Sequence, residues 1–283
     1  MLLLIVVCGL LFIQIWGSGK PLHRDQWFYS CLNAFSKNTW IASQTLGVFG
    51  ATLALTLVIA LVIYIWLDTL SVWLSAAFSV LVLVYSMGRG QFSEPAKAYI
   101  SAWRNKNWQS ALDAAHSVDV NAHDIEQDDW GELNHQMVST LAYRGFERVF
   151  VVLFWFAFAG IIGALTYRLI ALYSDYTEDP KEEELAQQWQ WYMEWPVARL
   201  FGLSLSITGN FASCFARCQQ FLTCTKTRTQ NLLVYFVESA LNVAPTESAD
   251  PRCGERELTE LMQLYSRTMV LWVCVVALIT LLL

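Results

Sequence analysis

The sequence predicts an all-α, polytopic membrane protein with four to six membrane segments and helical cytoplasmic segments between them. Apolar residues make up 55% of the 283 residues and charged residues only 15%, with a mean hydropathy of +0.39, unlike an ordinary soluble domain. Aromatic residues reach 14% and include 13 Trp, and such rings favour the lipid–water interface. The net charge of −6 and the lack of a basic stripe disfavour a nucleic-acid partner. We therefore expect a single integral membrane domain over residues 1–283, with the lipid bilayer as its partner.

The first membrane segments are an N-terminal anchor and a hairpin. Residues 1–16, "MLLLIVVCGLLFIQIW", are apolar and lack the basic start and cleavage site of a secretory signal, which predicts a retained anchor. No charged side chain occurs over 41–67, a helix of roughly 40 Å that exceeds the ~30 Å hydrocarbon core. Asp68 and Thr69 then predict a tight turn before a second uncharged run, so residues 41–88 form a transmembrane hairpin in this interpretation.

Polar helical segments alternate with the later spans. Residues 93–147 predict a helical cytoplasmic segment that opens with one helix over 93–116. Residues 149–213 contain an apolar span, an interfacial helix and a second apolar segment. Residues 255–283 predict a helix that continues into the terminal span.

The span at 149–174 has two interpretations. Either it crosses the membrane as one helix, or the chain breaks at Gly160 and Gly163 and turns back as a re-entrant segment. Gly-interrupted apolar segments form such elements where surrounding protein covers the freed backbone groups. The apolar segment at 195–213 has the same two interpretations, and the sequence leaves both open.

Lys and Arg predict the orientation. The segment 17–40 holds three of them and 88–148 holds six, whereas the hairpin tip at 68–69 holds none. By the positive-inside rule, this bias places both basic segments in the cytoplasm and the hairpin tip and the N terminus outside. If 149–174 crosses the membrane, the acidic loop after it lies outside. If it turns back, every large polar segment is cytoplasmic.

Three short motifs could suggest a cofactor or metal site, and each has a simpler structural interpretation. "GSGK" (17–20) lacks the upstream Gly and the downstream Ser or Thr of a phosphate loop, which predicts a basic membrane exit instead. Cys214 and Cys218 lie one turn apart on a predicted helix, where small apolar packing is favoured over a bridge or a metal site. The third motif comprises His116, Asp119, His123 and Asp124. Its spacing fits no metal-ligand set and predicts a solvated acidic connector.

Arg199 is an arginine in an otherwise apolar stretch, "WPVARLFGLSLSITGN". A charge at membrane depth costs about 3 kcal/mol unless it is paired or reaches the interface. Arg199 lies about one turn after Trp195, so either it extends to the interface or it is paired inside the protein. Asp175 and Glu194 are the candidate partners, and Arg168 is a second cation that needs one.

Two stretches carry a resemblance to a known family. "FVVLFWFAFAGIIGALTYRLIALYSDY" (150–176) and "EWPVARLFGLSLSITGNF" (194–211) together resemble the AmpE family of bacterial inner-membrane proteins, which are associated with the ampD–ampE locus and β-lactamase regulation. That family is in turn similar to the cobalamin-biosynthesis membrane synthases of the CobD/CbiB type. The resemblance covers most of the chain, and it implies a multi-pass inner-membrane protein with its main polar segments in the cytoplasm.

The polar signatures of the synthases are mostly replaced here. Ahead of the span at 149–174 the chain has Glu147 and Arg148, and after that span an acid persists as Asp175, shifted by one place. The synthases also have an Ile-Pro-Ala-Arg-Leu signature, whose Arg-Leu pair is retained here as Arg199 and Leu200. Because the positions that would orient a phosphorylated substrate are mostly missing, the resemblance implies a retained scaffold and lost chemistry. The candidate ligand or polar-cluster residues are Arg199, Asp175, Arg168, Glu147, Arg148, Glu194 and Trp195.

Two functions from different classes follow from the resemblance. The favoured one is a non-catalytic inner-membrane regulatory or signalling protein, linked to β-lactamase induction and antibiotic resistance, whose protein partner is another membrane protein's helix. The alternative is a membrane-bound, synthase-like enzyme acting on a phosphorylated or cobamide-like substrate, with Arg199, Asp175 and Arg168 around an interfacial cleft. A transporter is disfavoured because, apart from Arg199, no ionisable residue lies in the middle of a span, and no repeat of the spans is visible.

Overall fold

The computed structural model confirms an all-α fold. It describes residues 1–16, 25–37, 47–68, 70–88, 93–118, 120, 125, 129–177, 179–221, 227–241 and 251–282, and every regular element in these ranges is helical. The first helices are α1 Leu2–Trp16, α2 Gln26–Ser36, α3 Gly47–Asp68, α4 Val72–Met87, α5 Ser93–Arg104, α6 Trp108–His116 and α7 Trp130–Gly145. A π-helical stretch, Phe146–Val151, then leads into α8 Val152–Tyr176, α9 Pro180–Thr208, α10 Phe211–Phe221, α11 Thr229–Leu241 and α12 Pro251–Leu282.

Several helices have the length and composition of membrane spans. Within the described ranges, three helical stretches are long and apolar enough to cross a membrane: Gly47–Leu67, Trp130–Tyr176 and Glu255–Leu282. The second of these runs from the start of α7 through the π-helical stretch to the end of α8. Two shorter apolar helices lie at Leu2–Ile13 and Val72–Met87. A helix satisfies its own backbone hydrogen bonds, which is why apolar sequence of this length adopts it in lipid. The chain is therefore a helical membrane protein.

Some predicted features lie outside the described residues. These are the turn residue Thr69, the stretch 17–20, and Asp119, His123 and Asp124 of the acidic connector.

The chain divides into two compact units. The first comprises Met1–Gly90, Arg148–Glu194 and Val276–Leu283, and the second comprises Gln91–Glu147 and Trp195–Val275.

The first unit is built on the apolar hairpin. Helices α3 and α4 both pack against α8, α1 packs against α4, and α2 packs against α3. Gly9 lets α1 approach closely, because a Cβ there would lie 2.9 Å from the side chain of the fully buried Leu83. Beside the hairpin, a core of Phe28, Phe49 and Tyr173 joins α2, α3 and α8.

The second unit contains the polar helices. Here the prediction of one helix over 93–116 is wrong, because the chain forms α5 and α6 with a turn between them. Lys106 adopts a positive φ of 52° in that turn. Asn107 then caps α6 by accepting a hydrogen bond from the Ser110 N–H at 3.2 Å, and such a cap begins a new helix. Helix α11 packs against both α7 and α10.

Candidate functional site

Arg199 has a partner on its own helix. It is 6% exposed and lies on α9 one turn after Trp195. Its guanidinium carbon lies 4.6 Å from the centroid of the Trp195 ring, and Nη1 donates a hydrogen bond to the Trp195 carbonyl at 3.1 Å. A cation over an indole face is stabilised by the ring quadrupole. The charge predicted to need pairing is thus engaged by an aromatic face and a backbone carbonyl.

Glu194 is the most deeply buried of the predicted acids. It is 2% exposed, and its Oε1 accepts hydrogen bonds from the Tyr167 hydroxyl at 2.9 Å and from Gln190 Nε2 at 3.2 Å. Tyr167 is itself buried on α8. Buried acids are expensive unless donors surround them, so these two donors explain how Glu194 is tolerated in the interior.

Helix α8 is broken at Gly160. Its φ of 62° and ψ of −148° are not helical, and they belong to a region open essentially only to glycine. A Cβ added at Gly163 would lie 2.7 Å from the carbonyl oxygen of Trp155. Trp155 and Gly163 are eight residues apart, and in a straight helix they would be separated by about 12 Å along the axis. The chain therefore turns sharply at Gly160.

The two sides of this turn meet the same part of α9. Trp155, before the turn, donates its indole N–H to the Met193 carbonyl at 3.1 Å. Tyr167, after the turn, contacts the neighbouring Glu194. The Tyr167–Glu194 contact joins the two stretches that carry the AmpE resemblance, and the Trp155 contact reaches the residue just before the second. The turn at Gly160 is the backbone feature that the re-entrant interpretation requires, while the path of the segment through a bilayer stays a prediction.

Arg168 is paired with an acid that the sequence analysis did not select. Its Nη2 lies 3.3 Å from Oδ2 of Asp25, and the two side chains are only 13% and 12% exposed. Oδ1 of Asp25 accepts a hydrogen bond from the Tyr85 hydroxyl at 3.0 Å, and Trp27 donates its indole N–H to that hydroxyl at 3.3 Å. We call Asp25, Trp27, Tyr85 and Arg168 the polar network. The need of Arg168 for an anion was the signal in the sequence, but nothing local pointed to Asp25.

Gly88 positions the guanidinium of Arg168. It follows the last residue of α4 with a φ of 68°, and a Cβ there would lie 3.0 Å from Nη1 of Arg168. The guanidinium therefore rests against a backbone surface that a side chain would occupy.

Glu147 lies in the π-helical stretch of the second unit. Its Oε2 is 3.4 Å from Nη1 of Arg144, and the Glu147 side chain is 6% exposed. π-Helical turns are rare and are frequent at functional sites. Arg148, in the same stretch, is half-buried, whereas Asp175 is exposed in the last turn of α8.

The candidate residues are shared between the two units. Arg148, Arg168, Asp175 and Glu194 belong to the first unit. Glu147, Trp195 and Arg199 belong to the second. A cleft that gathers all seven stays a prediction.

The cysteine pair of α10 is buried in the second unit. Cys214 and Cys218 are free thiols with 0% and 1% exposure. Cys214 Sγ lies 3.8 Å from the Gly202 carbonyl, and a Cβ at Gly202 would lie 2.8 Å from Cys218 Sγ. The pair thus fills a close contact between helices. Among the residues that the structure describes, no three His, Cys, Asp or Glu side chains form a group able to hold a metal ion.

Comparisons with protein-family models, curated proteins and solved structures find no match to this chain. The AmpE resemblance therefore rests on the residues quoted for it.

Proposed function

We propose that this chain is a non-catalytic regulatory protein of the bacterial inner membrane, of the AmpE type, that takes part in β-lactamase induction. Its main polar segments face the cytoplasm, and its partners are the lipid bilayer and a helix of another membrane protein. The observation that carries the proposal is the contact between the two resemblance stretches. Tyr167 of one stretch donates a hydrogen bond to Glu194, the first residue of the other, and Trp155 donates to the carbonyl of Met193, which immediately precedes it.

The surroundings of the interior acids support a role other than catalysis. Glu194 accepts from Tyr167 and Gln190, and Asp25 accepts from Tyr85 and is paired with Arg168. A general acid or base must reach a proton of the substrate. Carboxylates held by donors of neighbouring helices are better suited to positioning those helices, and a regulatory membrane protein requires helices in defined positions.

The first test is a deletion in the native bacterium. Removing the gene should change the β-lactamase activity induced by a β-lactam, and expression of the wild-type chain should restore the original response. An induction curve unchanged by the deletion would contradict the proposal.

The second test asks whether the contact between the stretches is needed. Glu194→Ala leaves Tyr167 and Gln190 without their common acceptor, so we expect it to restore induction poorly at equal amounts in the membrane. Glu184→Ala is the matched control, because Glu184 is an exposed acid on the same helix. Equal restoration by the two variants would mean that this contact does not support the function.

A further inference from the structure

The apolar hairpin of α3 and α4 has a polar end, at which α3 begins, α4 ends and α8 ends. Glu182, in the first turn of α9, accepts a hydrogen bond from the Val48 N–H at the start of α3 at 2.8 Å and another from the hydroxyl of Tyr173 in α8. Gly88, just after α4, lies against the guanidinium of Arg168 in α8, because a Cβ at Gly88 would lie 3.0 Å from Nη1. We call this end the base of the hairpin, and the turn between α3 and α4 its tip.

From the base, α8 extends along the hairpin only as far as Gly160. Both α3 and α4 pack against α8, and Leu165 lines an apolar cavity with Ile59 of α3 and Leu81 of α4. Gly160 precedes Arg168 by eight residues, a helical distance of about 12 Å. Helix α4, with 16 residues, has a length of about 24 Å. The turn at Gly160 therefore lies about halfway between the base and the tip.

The part of the chain before this turn runs back beside the part after it. Trp155 donates to the Met193 carbonyl at 3.1 Å, and Tyr167 donates to Glu194 at 2.9 Å. Consecutive residues of a helix differ by about 1.5 Å in height, so Trp155 and Tyr167 reach the same level of α9. A straight helix would separate these two residues by about 18 Å along its axis. The two arms on either side of Gly160 therefore run in opposite directions.

Charged residues mark the outer ends of both arms. Arg148 precedes Gly160 by 12 residues and Arg168 follows it by eight, and residues 149–167 contain no charged side chain. A straight helix over 149–167 would be about 28 Å long and would cross the ~30 Å hydrocarbon core. The broken chain has arms of at most about 18 Å and 12 Å instead. Each arm is long enough to reach about the middle of a bilayer and too short to cross it.

The turn between the arms exposes apolar side chains. Phe158 is 78% exposed, its ring stacks on that of Phe154 with the centroids 6.1 Å apart, and the neighbouring Ala157 and Ala159 are exposed as well. A Cβ at Gly160 would meet no atom within 4 Å, so the turn is open on its outer side. Exposed apolar surface of this kind marks a contact with a membrane or a partner, and at mid-depth in a helical membrane protein the surroundings are lipid chains.

We propose that residues 149–176 form a re-entrant hairpin whose turn, at 157–160, inserts into the acyl chains of one leaflet. Phe154 and Phe158 are the side chains that meet the lipid. Arg148 and Arg168 then lie at the same face of the membrane, together with the base of the α3–α4 hairpin, and its tip lies at the opposite face. The inference does not depend on a role of the protein in β-lactamase induction, so either can fail without the other.

Cysteine labelling from each side of the membrane tests the re-entrant path. Lys181→Cys reports the face of the base, because it precedes Glu182, and Ser71→Cys reports the face of the tip; both positions are exposed. His135→Cys, also at an exposed position, reports the face of Arg148, since the chain between them is too short to cross a bilayer. Each is placed in the full chain with its seven native cysteines replaced by alanine. Labelling uses a membrane-impermeant maleimide in spheroplasts and in inverted vesicles.

We expect His135→Cys to be labelled in the same preparation as Lys181→Cys and to lose labelling in the preparation that labels Ser71→Cys. A helix that crosses the membrane predicts labelling of His135→Cys together with Ser71→Cys, and that result would overturn the proposal.

A second measurement keeps the native cysteines and tests the lipid contact. Replacement of Phe158 by p-benzoyl-phenylalanine, followed by irradiation in the membrane, should yield adducts with phospholipid acyl chains. The same replacement at Tyr176, a 41% exposed position in the last turn of α8, should yield few of them, because that turn lies at the base. Absence of acyl adducts at Phe158, or equal yields at the two positions, would contradict insertion of the turn into lipid, whatever the cysteine variants show.

Discussion

Replacement of Gly160 by alanine distinguishes a broken α8 from a straight one. Gly160 has a φ of 62° and a ψ of −148°, a conformation that costs a residue with a side chain of the order of 1–3 kcal/mol. A Cβ at this position would meet no atom within 4 Å, so the expected cost comes from the backbone alone. We therefore expect Gly160→Ala to lower the free energy of unfolding by about 1–3 kcal/mol.

A straight helix predicts the opposite sign. In a helix interior, alanine is more favourable than glycine by about 1 kcal/mol. The two structures thus differ by about 2–4 kcal/mol in the effect of one methyl group. Unfolding in mixed micelles of increasing SDS content, followed by far-UV circular dichroism, resolves a difference of that size.

Gly131→Ala is the matched control. Gly131 lies in the first turn of α7, and its nearest neighbour to an added Cβ is a side-chain oxygen of Asp129 at 3.5 Å, an ordinary contact. We expect this substitution to stabilise the protein by up to about 1 kcal/mol. If Gly160→Ala stabilises the protein as Gly131→Ala does, the break at Gly160 is refuted.

Two further substitutions test packing in the separate units by the same unfolding measurement. Tyr167→Phe removes a donor from the buried Glu194 and should lower the free energy of unfolding by about 1–3 kcal/mol. The control Tyr192→Phe, at a 62% exposed position, should stay within about 0.5 kcal/mol of wild type. Equal effects of the two substitutions would contradict the role of the Glu194 contact. Gly202→Ala would place a Cβ 2.6 and 2.7 Å from ring carbons of Phe236 and should cost about 1–3 kcal/mol through overpacking. Adding Phe236→Leu to Gly202→Ala should recover part of that loss, and an unchanged stability of the single variant would contradict the close packing.

The helical class and most helix positions were predictable from local sequence. Long uncharged runs such as 47–67 leave the backbone no partner in lipid except itself, and this dictates a helix without reference to the rest of the chain. The division of 93–116 into two helices was missed. It depends on the positive φ of Lys106 and on the cap at Asn107, which are weaker signals than apolar periodicity.

The candidate site was predictable only in part. Arg199 was selected because an ionisable group is costly in apolar surroundings, and Glu194 was selected as a candidate partner for it. Both are buried and hydrogen-bonded. The partner of Arg168 was not selected, because Asp25 lies 143 residues away in the chain. Charge alone does not identify a partner at that distance in sequence, since pairing requires the intervening helices to be placed first.

By itself, the sequence determined that this protein is helical, apolar and suited to a membrane, because these properties follow from composition and from the period of single segments. Only the tertiary structure decided which glycine of the pair in α8 breaks the helix. Gly160 takes the positive φ, while Gly163 provides the space for the carbonyl of Trp155. It also decided that Asp25, Tyr85 and Arg168 form one network. The physical reason is that the network joins segments far apart in sequence, and that both sides of the turn at Gly160 make hydrogen bonds to α9. The energy of such contacts is absent from any local stretch of the chain.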